Sequence, residues 1–257
     1  MNIIAQSLRQ ARYQNRAFWR NPPAAFFTFV FPLMFLVIFN LVFGGGEIQY
    51  EGGTATMATF YVPGIVVMAL AGTCYSNIAM YIAYNRDGGL LKRIRGTPLP
   101  PTALIAGLVI HSVVLAVLLV IIVLAAGVLL YDVDIPTTRM PAFLVTLIIG
   151  SAALCALGVA VAGFIPNADA APAIVNASIL PLLFISDVFI PMENAPVWLR
   201  TFADMFPVRH IATAIHESFN PFAAGLGFKP IDLAIIAAWM VAGVAIAARF
   251  FRWERAR

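Results

Sequence analysis

Apolar residues recur in runs of about 20 along most of this chain, each long enough to cross a bilayer as a helix. Six runs are read, at 24–43, 57–80, 103–130, 142–165, 171–190 and 231–250. The first follows a segment with four arginines and is too long for a signal-peptide core, so it is expected to remain in the mature protein. No internal repeat or low-complexity tract interrupts the pattern. The expected fold class is an all-α membrane protein: six transmembrane helices in a single domain over 1–257.

Two segments fit neither a span nor a simple loop. Within 1–23, residues 3–20 place Ile4, Leu8, Ala11 and Tyr13 toward one side and Arg9, Arg12, Arg16 and Arg20 mostly toward the other. With Phe18 and Trp19 at its end, this reads as a helix lying in the inner membrane interface. Residues 191–230 are too apolar for a free loop. Pro207 is placed to start a helix on which Val208, Ile211, Ala212, Ile215 and Phe219 share a face. At about 13 residues that helix is too short to span, so a helical hairpin dipping in from the outer face is expected.

Composition removes whole classes of function. Of the residues, 61% are hydrophobic and 11% charged, whereas soluble domains carry about 25% charge. A soluble globule of this size could not hide so many apolar side chains, and disorder needs the opposite composition. The net charge of +4 looks like a nucleic-acid signal until the bases are located. Most sit in three clusters: Arg9, Arg12, Arg16, Arg20; then Arg86, Lys92, Arg93, Arg95; then Arg249, Arg252, Arg255, Arg257. Each lies beside an apolar run, as cytoplasmic flanks do, so no nucleic-acid partner is expected. The intervening linkers hold Glu47 and Glu51, then Asp132 and Asp134 with only Arg139. This alternation predicts a multi-pass protein of the cell membrane with both termini cytoplasmic. Cys74 and Cys155 lie inside apolar runs and read as small buried residues.

The most informative polar stretch spans 84–99: Tyr84-Asn85-Arg86-Asp87-Gly88-Gly89-Leu90-Leu91-Lys92-Arg93-Ile94-Arg95-Gly96-Thr97-Pro98-Leu99. The glycine pair, Gly96 and Pro98 bound a short helix from Leu90 to Arg95. Leu90, Leu91 and Ile94 share one face and leave a basic opposite side. A loop that only fixes topology would need the bases but not this capped, amphipathic form, which points to a docking element.

The same stretch resembles the cytoplasmic signature of type 2 membrane subunits of ATP-binding-cassette (ABC) transporters. A second patch, Phe184-Ile185-Ser186-Asp187-Val188-Phe189-Ile190-Pro191 followed by Glu193, Asn194, Pro196 and Trp198, is similar to that family's segment after the fifth span. The family has Gly where this chain has Asp187. Phe206-Pro207 matches the restart before the last span, and Tyr61-Val62-Pro63-Gly64 opens the second. The likeness is strongest to the drug- and glycolipid-exporting branch, linked to antibiotic resistance. It implies a dimer of permease chains, identical or homologous, each carrying a separate ABC ATPase subunit. It also implies an amphipathic, drug-like or lipid-linked substrate that leaves through the outer face. ATPase coupling is expected at Arg86, Asp87, Leu90, Leu91, Lys92, Arg93, Ile94 and Arg95. There the apolar face would sit in an ATPase groove, with Arg86, Lys92 and Arg93 at its rim.

No nucleotide or other cofactor is expected in this chain. Gly44-Gly45-Gly46 is not followed by Lys-Ser/Thr, so it is no phosphate-binding loop, and ATP and magnesium would belong to the partner. His210 and His216 lie about 240° apart around a helix, too far to share a metal. The candidate substrate pathway comprises the intramembrane polar residues Asn40, Asn77, His111 and Asn176, with Asp187 at the outer mouth; such groups mark interhelical hydrogen bonds or pathways. Pro32, Pro63, Pro172 and Pro181 interrupt their helices. Gly150, Ser151, Ala153, Leu157, Gly158, Ala162 and Gly163 offer a small-residue face on the fourth span. Two rivals fare less well. An ion-coupled secondary transporter typically keeps a carboxylate near mid-membrane, which spans one to four and six lack. A membrane-embedded enzyme needs a nucleophile–base pair, a metal cluster or paired acids at depth.

Overall fold

A computed structural model describes residues 2–50, 52–192, 195–251 and 253. The expectations placed on Glu51, Glu193, Asn194, Arg252, Arg255 and Arg257 lie outside the described residues.

Among the described residues, five helices are long and apolar enough to cross a membrane. After the first helix α1 (Ile3–Trp19), α2 (Pro22–Phe43) begins on two prolines, with the Asn21 side chain accepting from the Ala24 amide. A β-hairpin follows within the linker between the first two apolar runs, β1 (Glu47–Tyr50) and β2 (Gly53–Thr56). The central span is one rod, Met57–Asp87. It consists of α3 (Met57–Leu70), a π-helical turn (Ala71–Ser76) and α4 (Asn77–Asp87). The short α5 (Leu90–Arg95) precedes the long α6 (Pro101–Tyr131) and α7 (Met140–Ala162). Then come α8 (Ala171–Phe184), α9 (Val197–Ala203), α10 (Pro207–Phe219) and α11 (Pro230–Phe250). By connectivity α5 and the 163–170 turn share one face, here the basic face. The β-hairpin, α9 and α10 lie at the opposite face.

The α3–α4 rod is the axis of the molecule, with α2, α6, α7, α8 and α10 all packed on it. Its α3 half is buried on every side, while α2 and α11 expose most of their apolar surface outward, as lipid-facing helices do. Helix–helix approach in lipid relies on small residues, and two glycines show this. A Cβ on Gly107 of α6 would stand 2.4 Å from the Gln10 side chain of α1. One on Gly158 of α7 would stand 2.7 Å from the Tyr75 carbonyl oxygen. The small residues of α7 do not form a single face. Gly150 meets Ile211 of α10 and Gly158 meets the π turn, while Leu157 backs onto Gly243 of α11.

The run at 171–190 is not one continuous helix: α8 stops after 14 residues, fewer than the ~20 with which a helix alone crosses. Pro181 lies inside it, the Ile185 amide closes on the Pro181 carbonyl, and Asp187 then takes a left-handed φ of 56° that turns the backbone aside. Val188 and Phe189 fold back into the core, the Val188 carbonyl against Gly64. On α1, Ile4, Leu8 and Tyr13 are exposed together with the arginines, and the seam buried against the protein is Ser7, Ala11 and Gln14, packed along α6. On α10 the expected face is met, with Val208, Ile211, Ala212, Ile215 and Phe219 all buried.

Candidate functional site

At the basic face, α5 has the boundaries its glycines dictate. Gly89 sits at φ 72°, a conformation that L side chains rarely adopt, and lets the chain turn from α4 into α5. The apolar face does not look outward. Leu91 is 1% exposed within the chain's own core, and Leu90 and Ile94 are half-buried. The exposed side is Lys92, Arg93 and Arg95, continued by Gly96 and Thr97. Leu91 is therefore an internal anchor, and a partner would meet charge first.

Arg86 is not at a rim either. It is 4% exposed, and Nη1 donates to the Ala162 carbonyl at 2.9 Å while Nη2 donates to that of Ile165. Carbonyls at a helix C-terminus lack intrahelical donors, so the guanidinium fork closes the end of α7. Asp87 Oδ2 accepts from the Ala168 amide at 2.7 Å. Together these residues bolt the end of α4 to the 163–168 turn and fix the platform from which α5 projects.

A cavity of about 600 Å³ lies between α2, the π turn, α4 and α8. Its walls are largely apolar and include an aromatic group, Phe31 and Phe35 of α2, Phe184 of α8 and Phe189. The Phe184 and Phe189 rings are 4.9 Å apart. Two of the predicted pathway residues, Asn77 of α4 and Asn176 of α8, line it. The π turn places Gly72 and Thr73 along the same wall, and π-bulges are frequent at functional sites. Tyr75, on the same turn, shares a 2.6 Å hydrogen bond with Ser178 of α8.

The other predicted pathway residues lie elsewhere. Asn40 is buried and donates to its own helix at the Leu36 carbonyl, 2.9 Å away. His111 lines a separate, smaller pocket nearer the basic face. Asp187 belongs to a polar cluster at the opposite face. Its Oδ1 accepts from the Met192 amide at 2.5 Å, its Oδ2 pairs with Arg209, and its carbonyl accepts from His216 Nε2 at 2.8 Å. The positive φ at this position accounts for a glycine in the family pattern, and Asp tolerates it through these local bonds.

Around Asp187 the structure assembles pairs that spacing alone could not reveal. Arg209 also faces Asp204 at 3.5 Å; His210 meets Asp232 at 2.6 Å and the Asp204 carbonyl at 2.9 Å. Lys229 reaches Glu217 at 3.2 Å, and Arg139 donates to the carbonyls of Asn220 and Ala223. Burial lowers the pKa of Arg209. His216, stacked on Phe60, is pushed down to about 3 by burial and then by the neighbouring Arg209 cation. The two histidines thus serve separate partners, and among the described residues no cluster of three metal-binding side chains forms.

Helices of this length around an apolar cavity, with a bolted platform on the basic face, are those of an all-α membrane protein. The chain belongs to the ABC-2 type transporter family, whose match covers residues 7–220. It is 30% identical over 218 residues to a daunorubicin resistance ABC transporter permease protein of Streptomyces coeruleorubidus, covering 82% of this chain and 73% of that one. A probable multidrug ABC transporter permease of Escherichia coli is 24% identical over 151 residues, 59% of this chain and 41% of that protein. A putative transport permease of Porphyra purpurea is 22% identical over 203 residues, 79% and 69% of the two chains. Members of this family are non-catalytic permeases that work with an ABC ATPase partner, which hydrolyses the ATP.

Proposed function

We propose that this chain is the membrane-spanning half of an ATP-driven exporter for amphipathic, drug-like or lipid-linked molecules. The observation that carries this reading is the apolar cavity with a phenylalanine group and two amides, Asn77 and Asn176, in its lining. It offers an apolar body broad contact and a few fixed hydrogen-bonding points, the usual make-up of a small-molecule site. The relatives' names, daunorubicin resistance and multidrug permease, support the same substrate class.

In this reading the basic face is cytoplasmic under the positive-inside rule, and the α9–α10 pair dips in from outside. A second permease chain, identical or homologous, packs against the aromatic outer surface of α2, where Phe27 and Phe31 are exposed beside the cavity. The ATPase meets the basic side of α5, and its closure on ATP moves α5. The bolt at Arg86 and Asp87 passes that movement to α4 and α7, and so to the cavity wall at Asn77.

The test uses inside-out vesicles containing this chain and its ABC ATPase. ATP-dependent accumulation of daunorubicin or of a fluorescent glycolipid is expected, and Asn176→Leu should reduce it severalfold while leaving expression intact. Absence of ATP-dependent accumulation for both probes overturns the reading.

A further inference from the structure

The pocket around His111 has a character opposite to that of the apolar cavity. It is enclosed by the end of α1 and start of α2, by α4 and by the first half of α6, and has a volume of about 220 Å³. Six of its lining residues carry hydrogen-bonding side chains: Gln14, Asn21, Asn77, Tyr81, His111 and Ser112. None is an acid or a permanent cation. Such a grouping within apolar helices is costly unless its members are satisfied, and they are only partly so. Gln14 Nε2 donates to the Tyr81 hydroxyl at 2.6 Å, and the Asn21 carbonyl oxygen caps α2. His111 is 7% exposed, and its Nδ1 is buried with no hydrogen-bond partner among the described residues.

We infer that this pocket binds the uncharged, hydrogen-bonding head of an amphipathic ligand, such as a sugar or polyol group, whose apolar part extends past Asn77 into the apolar cavity. Size and position both support this. Sites for whole drug-sized ligands occupy about 300–1,000 Å³, so this pocket holds a head and not a complete molecule. Asn77 is common to the linings of both spaces. The absence of charged side chains from the lining selects a neutral head, because a buried ion without a counter-charge is strongly disfavoured. The inference deepens the exporter reading and rests on it for the fate of the ligand, though not for its binding.

The experiment uses the permease alone in phosphatidylcholine nanodiscs, without ATP. Three probes share one diazirine-bearing ten-carbon chain and differ only in the head: glucosyl, trimethylammonium or carboxylate. Saturable photolabelling is expected for the glucosyl probe, at concentrations about tenfold below those needed for either charged head. His111→Leu should weaken glucosyl labelling about tenfold, as the loss of a buried hydrogen bond does, and His111→Gln should restore most of it. Ser112→Ala, a milder change, should weaken it severalfold and stands in if His111→Leu fails to fold. Competition by a glucosyl diacylglycerol in the nanodisc assigns the site to a bilayer glycolipid. Undiminished labelling assigns it to single-chain amphipaths. Both outcomes support a head-binding pocket. Equal labelling by all three heads, or labelling indifferent to His111 and Ser112, overturns it. Head-selective binding without ATP-dependent accumulation in vesicles would sink the exporter reading while leaving the pocket standing; the reverse result would do the opposite.

Discussion

Arg86 reaches across from α4 to hold the Ala162 carbonyl at the end of α7, 2.9 Å away, although the two residues are separated by 76 positions in the chain. The same fork takes the Ile165 carbonyl. Arg86→Ala leaves both oxygens without this donor and is expected to cost about 2–3 kcal/mol. Arg86→Lys, a point charge without the fork, should recover only part of that. Thermal unfolding in detergent measures both, and a midpoint unchanged in Arg86→Ala would show that the clamp contributes nothing.

The outward side of α5 is charged, so its exposed bases and its buried leucine should fail differently. Reversing Arg93 to Glu is expected to slow association with the ATPase and to make capture of the partner more salt-sensitive, with the permease itself as stable as before. Leu91→Ala should destabilise the permease by about 2–4 kcal/mol, because it opens a hole in the chain's own core. Partner pull-down across a salt series, run beside unfolding of the permease alone, separates the two. A Leu91 variant of full stability that loses only the ATPase would return Leu91 to the interface.

At Asp187 the backbone and the side chain can be tested apart. Asp187→Gly relieves the left-handed φ but removes the contacts to Met192 and Arg209. Asp187→Ala removes the same contacts and adds about 1 kcal/mol of backbone strain. Ala should therefore be the less stable of the two by that amount. Equal unfolding midpoints for the variants would mean that the turn is not held in this conformation.

His216 gives a pH dependence of defined sign. Its folded-state pKa, near 3, lies below the ordinary value of 6.5, so the folded chain refuses a proton that the unfolded chain accepts. Its contribution is flat above about pH 6.5, and stability falls as the pH drops from there toward 3, by up to about 1.4 kcal/mol per pH unit. Carboxylates in general take up protons on acidification, so the diagnostic quantity is a difference between proteins. His216→Gln should show a shallower loss than the unaltered chain between pH 6 and 4, which lie inside that window. Parallel curves would mean that His216 is protonated in the fold.

What could be read from the sequence was set by local chemistry. The glycines and proline around Leu90–Arg95 delimit α5 to the residue, and Pro207 with its 3.6-period face delimits α10. Periodicity says that a face is covered but not by what. The apolar side of α5 was therefore open to two readings, and the structure gives it to the chain's own core. The 171–190 run was legible as apolar but not as broken, because its end depends on Pro181 and on a backbone reversal at Asp187 that hydropathy does not register. Contacts such as Arg86–Ala162 or Arg139–Asn220 join residues about 80 positions apart and leave no trace in spacing. Of the pathway candidates, Asn77 and Asn176 meet in one cavity, while Asn40, His111 and Asp187 belong to three other environments.

The π turn at Ala71–Ser76 sets the angular phase of everything after it. A π turn holds one residue more than an α turn, so winding this stretch into regular helix with every residue kept would rotate α4 by about 100° relative to α3. Asn77 would swing off the cavity wall, Tyr81 away from Gln14, and Arg86 away from the end of α7. One additional residue thus lets two halves of a single rod address different neighbours: α3 keyed to α2, α6 and α10, and α4 keyed to α7, α8 and α5.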